Sequence, residues 1–346
     1  MNKRLLIVGS DQVWALERIY TKYLRQAGLE VELFAAPDDF HDWYKKSLLH
    51  KVLFRAGLAG IYRSINQRLL EKVRVFNPGA IWIFKGMEIF PATLHTLKEQ
   101  GYFLANYNPD HPFIIAGRGS GNDNVTNSVG CYDLHFCYHG ILQQQIEKKY
   151  KIPTVFLPFG YEISASDYEN ALTKEEINKI CFIGNPDSNR IEIIHKIANK
   201  GIPVDVFGHG WDSTKLAGNP LITIHEAIYG TRFWAKLRQY RVQLNIFRTH
   251  NLGSHNMRSF EIPGIGGIQL SPFSDEQAGF FEEGKQIFFY RDEAELVAKL
   301  SDLLSLSPQE AENIRNSSHQ RSLASGYSYA HRATTVYQTF KKYLNW

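Results

Sequence analysis

Arg258 and Glu261 stand three apart in Asn256-Met257-Arg258-Ser259-Phe260-Glu261, and in a helix that spacing places both side chains on one face. A guanidinium there can grip a diphosphate bidentately, and a carboxylate beside it can accept both hydroxyls of a ribose. An ordinary surface ion pair has the same spacing, so the pair needs support from elsewhere. Gly184-Asn185-Pro186-Asp187-Ser188-Asn189-Arg190 follows an apolar run and opens a helical pattern, which brings backbone N–H groups and the Arg190 guanidinium to a strand end. Gly208-His209-Gly210-Trp211 follows the next apolar run, and its glycines let the backbone pass close to a ligand.

Other chemistries are disfavoured by the residues present. The first strand-to-helix turn is Gly9-Ser10-Asp11, without the further glycines that close approach to a dinucleotide pyrophosphate needs. Gly117-Arg118-Gly119-Ser120-Gly121 lacks the Gly-Lys-Ser/Thr end of a P-loop and reads as a flexible loop or an acceptor-side lid. No Asp-x-Asp occurs, so no metal site and no cofactor are expected, and phosphates would be met by Arg, Lys and helix N-termini.

These residues must be carried by elements, and the pattern supplies them. Short apolar runs at 5–8, 31–34, 80–84, 102–106, 134–137 and 154–157 alternate with helical spacings, including a first helix beginning near Val13. A polar stretch at 164–178 resembles a linker, after which runs at 180–184, 204–207, 221–224, 242–246, 268–270 and 287–290 repeat the design. The expected architecture is α/β, with two doubly wound domains. Residues 1–163 form the first, 164–178 the linker, 179–328 the second, and 329–346 a final helix that can cross back to the first domain.

The chain has 346 residues, 44% hydrophobic and 21% charged, enough apolar content for two cores and too little charge for a disordered chain. No apolar run is long enough to span a membrane, and the apolar part of the N-terminal stretch is too short for a signal peptide. Cys131, Cys137 and Cys181 show no zinc or redox spacing and read as core residues of a cytoplasmic protein. The net charge of +4 arises entirely before residue 151, where 18 Lys and Arg face 14 Asp and Glu. Within it, residues 41–76 carry eight basic and two acidic side chains. Leu48/Leu49, Val52/Leu53 and Ala56 form an apolar stripe there, interleaved with Lys45, Lys46, Lys51 and Arg55. Such a helix suits an anionic membrane surface, an acidic or lipid-linked acceptor, or a solvated face; nucleic acid is not expected.

Taken in order, Cys181-Phe-Ile-Gly-Asn185, Val206-Phe-Gly-His-Gly-Trp211, Arg258-Ser-Phe-Glu261-Ile-Pro-Gly-Ile-Gly-Gly267, Phe281-Glu-Glu-Gly284 and Tyr329-Ala-His-Arg332 resemble the CgeB-like, spore-maturation type of glycosyltransferase. The resemblance implies a GT-B fold, two Rossmann-like domains facing a cleft, with nucleotide sugar held by the second domain and acceptor by the first. It further implies a donor segment of Asn256, Arg258, Ser259, Phe260 and Glu261, with Gly184, Asn185, Arg190, Gly208 and His209 around it, and with Tyr229, after the run at 221–224, as the candidate to stack on the base, a core tyrosine being the alternative. On the same reading an inverting enzyme needs a general base on the first domain, for which Asp11, at the tip of the first strand, and Asp110, in Asn108-Pro109-Asp110-His111-Pro112, are the candidates, with helix cap and turn residue as their alternatives; a retaining enzyme requires neither. Glu261 looks like the ribose-binding Glu that closes the Glu-x7-Glu signature of related retaining enzymes, but the position of the first Glu is Gly253 here, and His255, Asn256 or Arg258 would fill its place. The implied activity is metal-independent transfer of a sugar from a nucleoside diphosphate to a saccharide or lipid-linked saccharide in surface polysaccharide or glycoconjugate synthesis, in the cytoplasm or on the inner membrane face. The alternatives are a sugar-nucleotide epimerase or hydrolase, or a non-catalytic glycan-binding protein of the same fold.

Overall fold

Ala80–Phe84 reads Ala-Ile-Trp-Ile-Phe and is buried at every position, as an inner strand covered on both faces must be. In the computed structural model, which describes residues 3–114, 120–248 and 253–346, this strand is the third of a six-stranded parallel sheet. The strands are β1 (Arg4–Val8), β2 (Glu30–Phe34), β3 (Ala80–Phe84), β4 (Phe103–Tyr107), β5 (Leu134–Cys137) and β6 (Thr154–Phe156), in the order β2-β1-β3-β4-β5-β6. They form a compact unit from Met1–Pro158 together with Tyr329–Trp346. Alternation divides the side chains between two cores. Leu6, Val8, Ile81 and Ile83 pack with Ile65, Leu69 and Val73 of the helix Ile61–Phe76. On the other face Trp82 meets Tyr20 at 5.0 Å and Phe136 at 5.2 Å between ring centres. The helix Tyr329–Leu344 covers that face, with Tyr329 5.8 Å from Tyr20 and Phe340 5.7 Å from Phe136.

The second unit, Phe159–Ser328, holds β7 (Ile177–Ile183), β8 (Val204–Phe207), β9 (Ile222–His225), β10 (Tyr240–Leu244), β11 (Gln269–Pro272) and β12 (Phe288–Tyr290). All are parallel, in the order β12-β11-β10-β7-β8-β9, the sequence of strands used by dinucleotide-binding sheets. The three free cysteines are buried, Cys131 and Cys137 in the first unit and Cys181 in the second.

Three local expectations change. The first helix starts at Leu16, and Val13 is exposed, because Asp38 holds the preceding loop out of helical form. Its carboxylate accepts from Ser10 Oγ at 2.9 Å and from the Asp11 N–H at 2.6 Å. The stretch 164–178, expected as a linker, lies inside the second unit and contains the helix Ala165–Leu172 and the start of β7. Ser164 caps that helix by accepting from the Asp167 N–H at 3.1 Å, and Tyr168 stacks on His319 with ring centres 4.4 Å apart. Glu176 lies between two buried guanidiniums, those of Arg241 and Arg315, with Arg315 Nη2 2.5 Å away. Finally, the basic stretch is partly neutralised from outside its own sequence, since Arg68 pairs with Asp39 at 2.7 Å and Lys72 pairs with Glu32. Most of the Gly117–Gly121 loop lies outside the described residues.

Candidate functional site

In the second unit the connections leave β7 toward β8 and β9 on one side, while β10, β11 and β12 lie on the other. The loops after β7 and β10 therefore diverge and open a crevice at the carboxyl ends of the strands, where open α/β sheets bind ligands. Arg190 braces this crevice. It lies in the first turn of the helix Ser188–Asn199, whose N-cap Asp187 accepts from the Arg190 N–H at 3.0 Å. Its Nε donates to Ile246 O at 3.2 Å and its Nη1 to Asn185 O at 2.9 Å, joining the two loops. Burial lowers the guanidinium pKa to about 10, still charged at neutral pH. Asn185 Oδ1 accepts from the His209 N–H at 3.0 Å and ties in the loop after β8.

The glycines of these loops act differently from the expectation. A Cβ on Gly208 would lie 2.4 Å from the Gly184 carbonyl oxygen, and the Trp211 indole N–H donates to that same oxygen at 2.9 Å. Gly208 is thus required for the β7 and β8 loops to touch each other, before any ligand is considered.

The helix Arg258–Gly264 is held from behind by a buried polar network. Asn256 and Ser259 bond reciprocally, the Ser259 N–H to Asn256 Oδ1 at 3.1 Å and the Asn256 N–H to Ser259 Oγ at 3.2 Å. Asn256 Nδ2 donates to Asn245 Oδ1 at 2.8 Å, and Ser259 Oγ to Gln277 Oε1 at 2.8 Å. Phe260 is fully buried, with Phe280 5.0 Å and Tyr327 5.3 Å between ring centres. Ser259 and Phe260, expected in the donor segment, therefore turn their side chains inward and position the helix. His255 is likewise removed as a sugar contact, being fully buried. The Phe159 N–H donates to its Nε2 at 3.3 Å, so the ring proton sits on Nδ1 and points to Glu276 Oε2 at 2.9 Å.

Arg258 is what this scaffold presents. Its guanidinium stacks 4.3 Å over Phe233, Nη1 pairs with Glu261, and Nε has no hydrogen-bond partner although it carries a buried N–H. Arg248 and Arg258 both lie within electrostatic reach of Arg190. Arg248, exposed after β10, was not selected from sequence; its position at the end of the Asn245–Phe247 run was the signal. Tyr229 precedes the helix Gly230–Gln239, is exposed, and holds its hydroxyl 3.3 Å from His209 Nε2. The candidate residues thus form two groups, 184–190 with 208, 209 and 229, and 256–261, connected through Arg190 and the β10 loop. Among the described residues no three His, Cys, Asp or Glu side chains are grouped to hold a metal ion.

The first unit has its own divergence of loops, after β1 and β3. Asp11 is exposed there, 3.8 Å from Arg18, and does not cap the first helix. Asp110, after β4, accepts from Lys85 Nζ at 2.6 Å. Two carboxyls near them, the half-buried Glu17 and the buried Glu88, were missed. Glu17 fills the space a Cβ on Gly9 would take and accepts from the Ser10 N–H at 3.0 Å; burial raises its pKa. Glu88 is 6% exposed, and burial chiefly raises its pKa from 4.5 to about 7, with Lys85 opposing and Asp38 and Glu17 assisting. No spacing marks either residue, because their neighbours come from four separate segments.

Because folded Glu88 holds its proton more tightly than unfolded Glu88, its stabilising contribution is complete below pH 4.5 and declines as pH rises through about 7. Up to about 3 kcal/mol changes across that window, from about 1.4 kcal/mol per pKa unit. Glu88→Gln is expected to flatten this loss. Hydrogen exchange of β3 amides at pH 5 and pH 8 measures it, and an unchanged slope in the variant would refute the assignment.

Comparison with solved structures defines the fold. Sucrose-phosphate synthase from Thermosynechococcus elongatus aligns over 99% of this chain and 99% of its own, with TM-score 0.70 and 12% identity. A UDP-forming trehalose-phosphate synthase from Burkholderia xenovorans aligns over 97% and 98%, with TM-score 0.64 and 13% identity. UDP-GlcNAc 2-epimerase from Neisseria meningitidis, solved with UDP-GlcNAc bound, aligns over 98% and 100%, with TM-score 0.59 and 11% identity. The fold is α/β of the GT-B type, built from two Rossmann-like units. At the level of sequence, residues 190–338 match a family model described as glycosyl transferase-like, and that stretch contains the whole Arg258–Glu261 segment. Comparison with curated protein sequences gives no significant match.

Proposed function

We propose that this chain is a metal-independent, CgeB-like glycosyltransferase that moves a sugar from a nucleoside diphosphate to a saccharide or lipid-linked saccharide in surface polysaccharide or glycoconjugate synthesis. The observation that carries the reading is Arg258, stacked on Phe233 with a free Nε–H, beside Glu261 at the divergence of the β7 and β10 loops. Negative charge develops on the departing diphosphate, and a preorganised guanidinium offsets it where water is scarce. Glu261 accepts the ribose hydroxyls, Arg248 adds charge at the phosphate end, and Tyr229 stacks on the base. The glycosyl transferase-like match over residues 190–338 supports sugar transfer, and the UDP-GlcNAc bound to the Neisseria structure of the same fold supports a UDP-linked donor. On the acceptor side Asp11 is the preferred base, since the Asp110 carboxylate is already engaged by Lys85.

Isothermal titration with UDP, GDP and dTDP tests the donor site. One nucleotide is expected to bind, and Glu261→Ala is expected to weaken it about tenfold or more, the loss of charge-assisted hydrogen bonds to two hydroxyls. Absence of binding by all three, or equal binding by the variant, would remove the assignment. Donor consumed without any acceptor would identify an epimerase or hydrolase, and polysaccharide retained without donor binding would identify a glycan-binding protein.

A further inference from the structure

The helix Leu48–Arg55 has no buried residue, although it is rich in leucine. Leu48 is 76% exposed, Leu49 63%, Val52 53%, and Leu58 in the following turn 75%, an unusual amount of aliphatic side chain left in water at one place. At 100° per residue Leu48, Leu49 and Val52 share one face. The opposite face is fixed to the unit by Phe54, whose ring centre lies 4.9 Å from Phe40, 5.7 Å from Tyr44 and 5.6 Å from Tyr62. Folding the leucines inward would require Phe54 to leave that cluster, so they are held outward. Lys45, Lys46 and Arg55 are exposed beside them and Lys51 lies at the flank, 6.0 Å from the Tyr44 ring. None of these four cations has a carboxylate partner among the described residues, in contrast to Arg68 and Lys72 farther along.

We infer that this hairpin is a docking element for an anionic lipid surface, inserting Leu48, Leu49, Val52 and Leu58 at the headgroup boundary while Lys45, Lys46, Lys51 and Arg55 meet lipid phosphates. The charge pattern selects this occupant. The cations surround a small apolar tip with no acidic residue in 43–58, which suits a fluid, uniformly anionic plane with an apolar interior. Trp43, partly exposed at the start of the hairpin, is a residue type favoured at that boundary. No helix among the described residues is long and apolar enough to cross a membrane, so attachment through this element is peripheral.

The full chain, without nucleotide, is tested by co-sedimentation with vesicles of phosphatidylcholine alone and of phosphatidylcholine with about one-third phosphatidylglycerol. Binding is expected only to the anionic vesicles and is expected to fall with added salt. Replacing Lys45, Lys46, Lys51 and Arg55 together by glutamine should lower the partition by at least about a hundredfold, at about fivefold per cation. Leu49→Ser with Val52→Ser should lower it about tenfold or more while the melting temperature stays unchanged, since both side chains are exposed. Equal binding to both vesicle types, or to neither, overturns the inference. So does concentration-dependent self-association abolished by Leu49→Ser without lipid binding, which would assign the face to a second copy of the chain. Because lipid binding rather than turnover is read, failure of the donor site leaves this result intact, and the converse holds.

Discussion

Arg258→Met is expected to lower the turnover number for sugar transfer about a hundredfold, about 3 kcal/mol of transition-state stabilisation. Methionine keeps an apolar chain over Phe233 and removes the charge that lies 4.3 Å above that ring. Because the charge on the diphosphate grows as the bond to the sugar breaks, the loss should fall on kcat more than on donor affinity. If Glu261 binds the ribose as proposed, Glu261→Ala should show the opposite division, since ribose contacts are equal before and during the reaction. Arg258→Lys should recover little, because an ammonium can neither stack on Phe233 as a guanidinium does nor present the unpaired Nε–H. Steady-state kinetics with the nucleotide identified by titration, at saturating donor, separates these outcomes. An unchanged kcat in Arg258→Met would reduce the pair with Glu261 to a structural contact. The double variant Arg258→Met, Glu261→Gln controls for the carboxylate that the single change leaves buried and unpaired.

Glu176→Gln is expected to destabilise the second unit by about 3 kcal/mol or more, the usual cost of breaking a buried ion pair from one side. Arg241 and Arg315 have side chains only 4% and 5% exposed, and Glu176 is the carboxylate they share. Arg241 is further held by the Leu306 carbonyl at 2.6 Å, so neither guanidinium can turn out to water without disturbing the sheet or the helix Pro308–Ala324. Burial works to raise the pKa of Glu176, but hydrogen bonds and charge from the two arginines outweigh it and hold the carboxyl below its ordinary 4.5. The contribution is therefore present above pH 4.5 and is lost as pH falls through the depressed folded value. Hydrogen exchange of β7 and β10 amides reports on this unit alone, and it should quicken about a hundredfold in the variant at neutral pH. Exchange equal to that of the parent would show that the two arginines are satisfied without Glu176.

How much of this was readable in advance depends on the range of the interaction. All twelve strands came from local signals, since a buried parallel strand such as Ala80–Phe84 is a continuous apolar run. The spacing of Arg258 and Glu261 was also local, and the structure brings them into contact on one helix face. Gly208 was singled out for close approach to a ligand, but the group that approaches it is the Gly184 carbonyl, which only the pairing of β7 with β8 specifies. The segment 164–178 looked like a linker because its polarity was visible and its partners were not. Glu176 meets residues 65 and 139 positions away. Glu17 and Glu88 are ordinary glutamates in sequence and become unusual only when the fold withdraws them from water, with Asp38 adding to that effect and Lys85 opposing it. The inward turn of Ser259 and Phe260 has the same origin, in Gln277, Phe280 and Tyr327.

The return of Tyr329–Leu344 to the first sheet also sets an order of events during synthesis. Residues 159–328 are continuous and leave the ribosome as a complete folding unit, whereas the aromatic face of Tyr20, Trp82 and Phe136 waits for Tyr329 and Phe340, which are made after them. The part of the chain translated first is thus the last to be finished, and its nascent form exposes an aromatic surface for the time needed to translate the whole second unit.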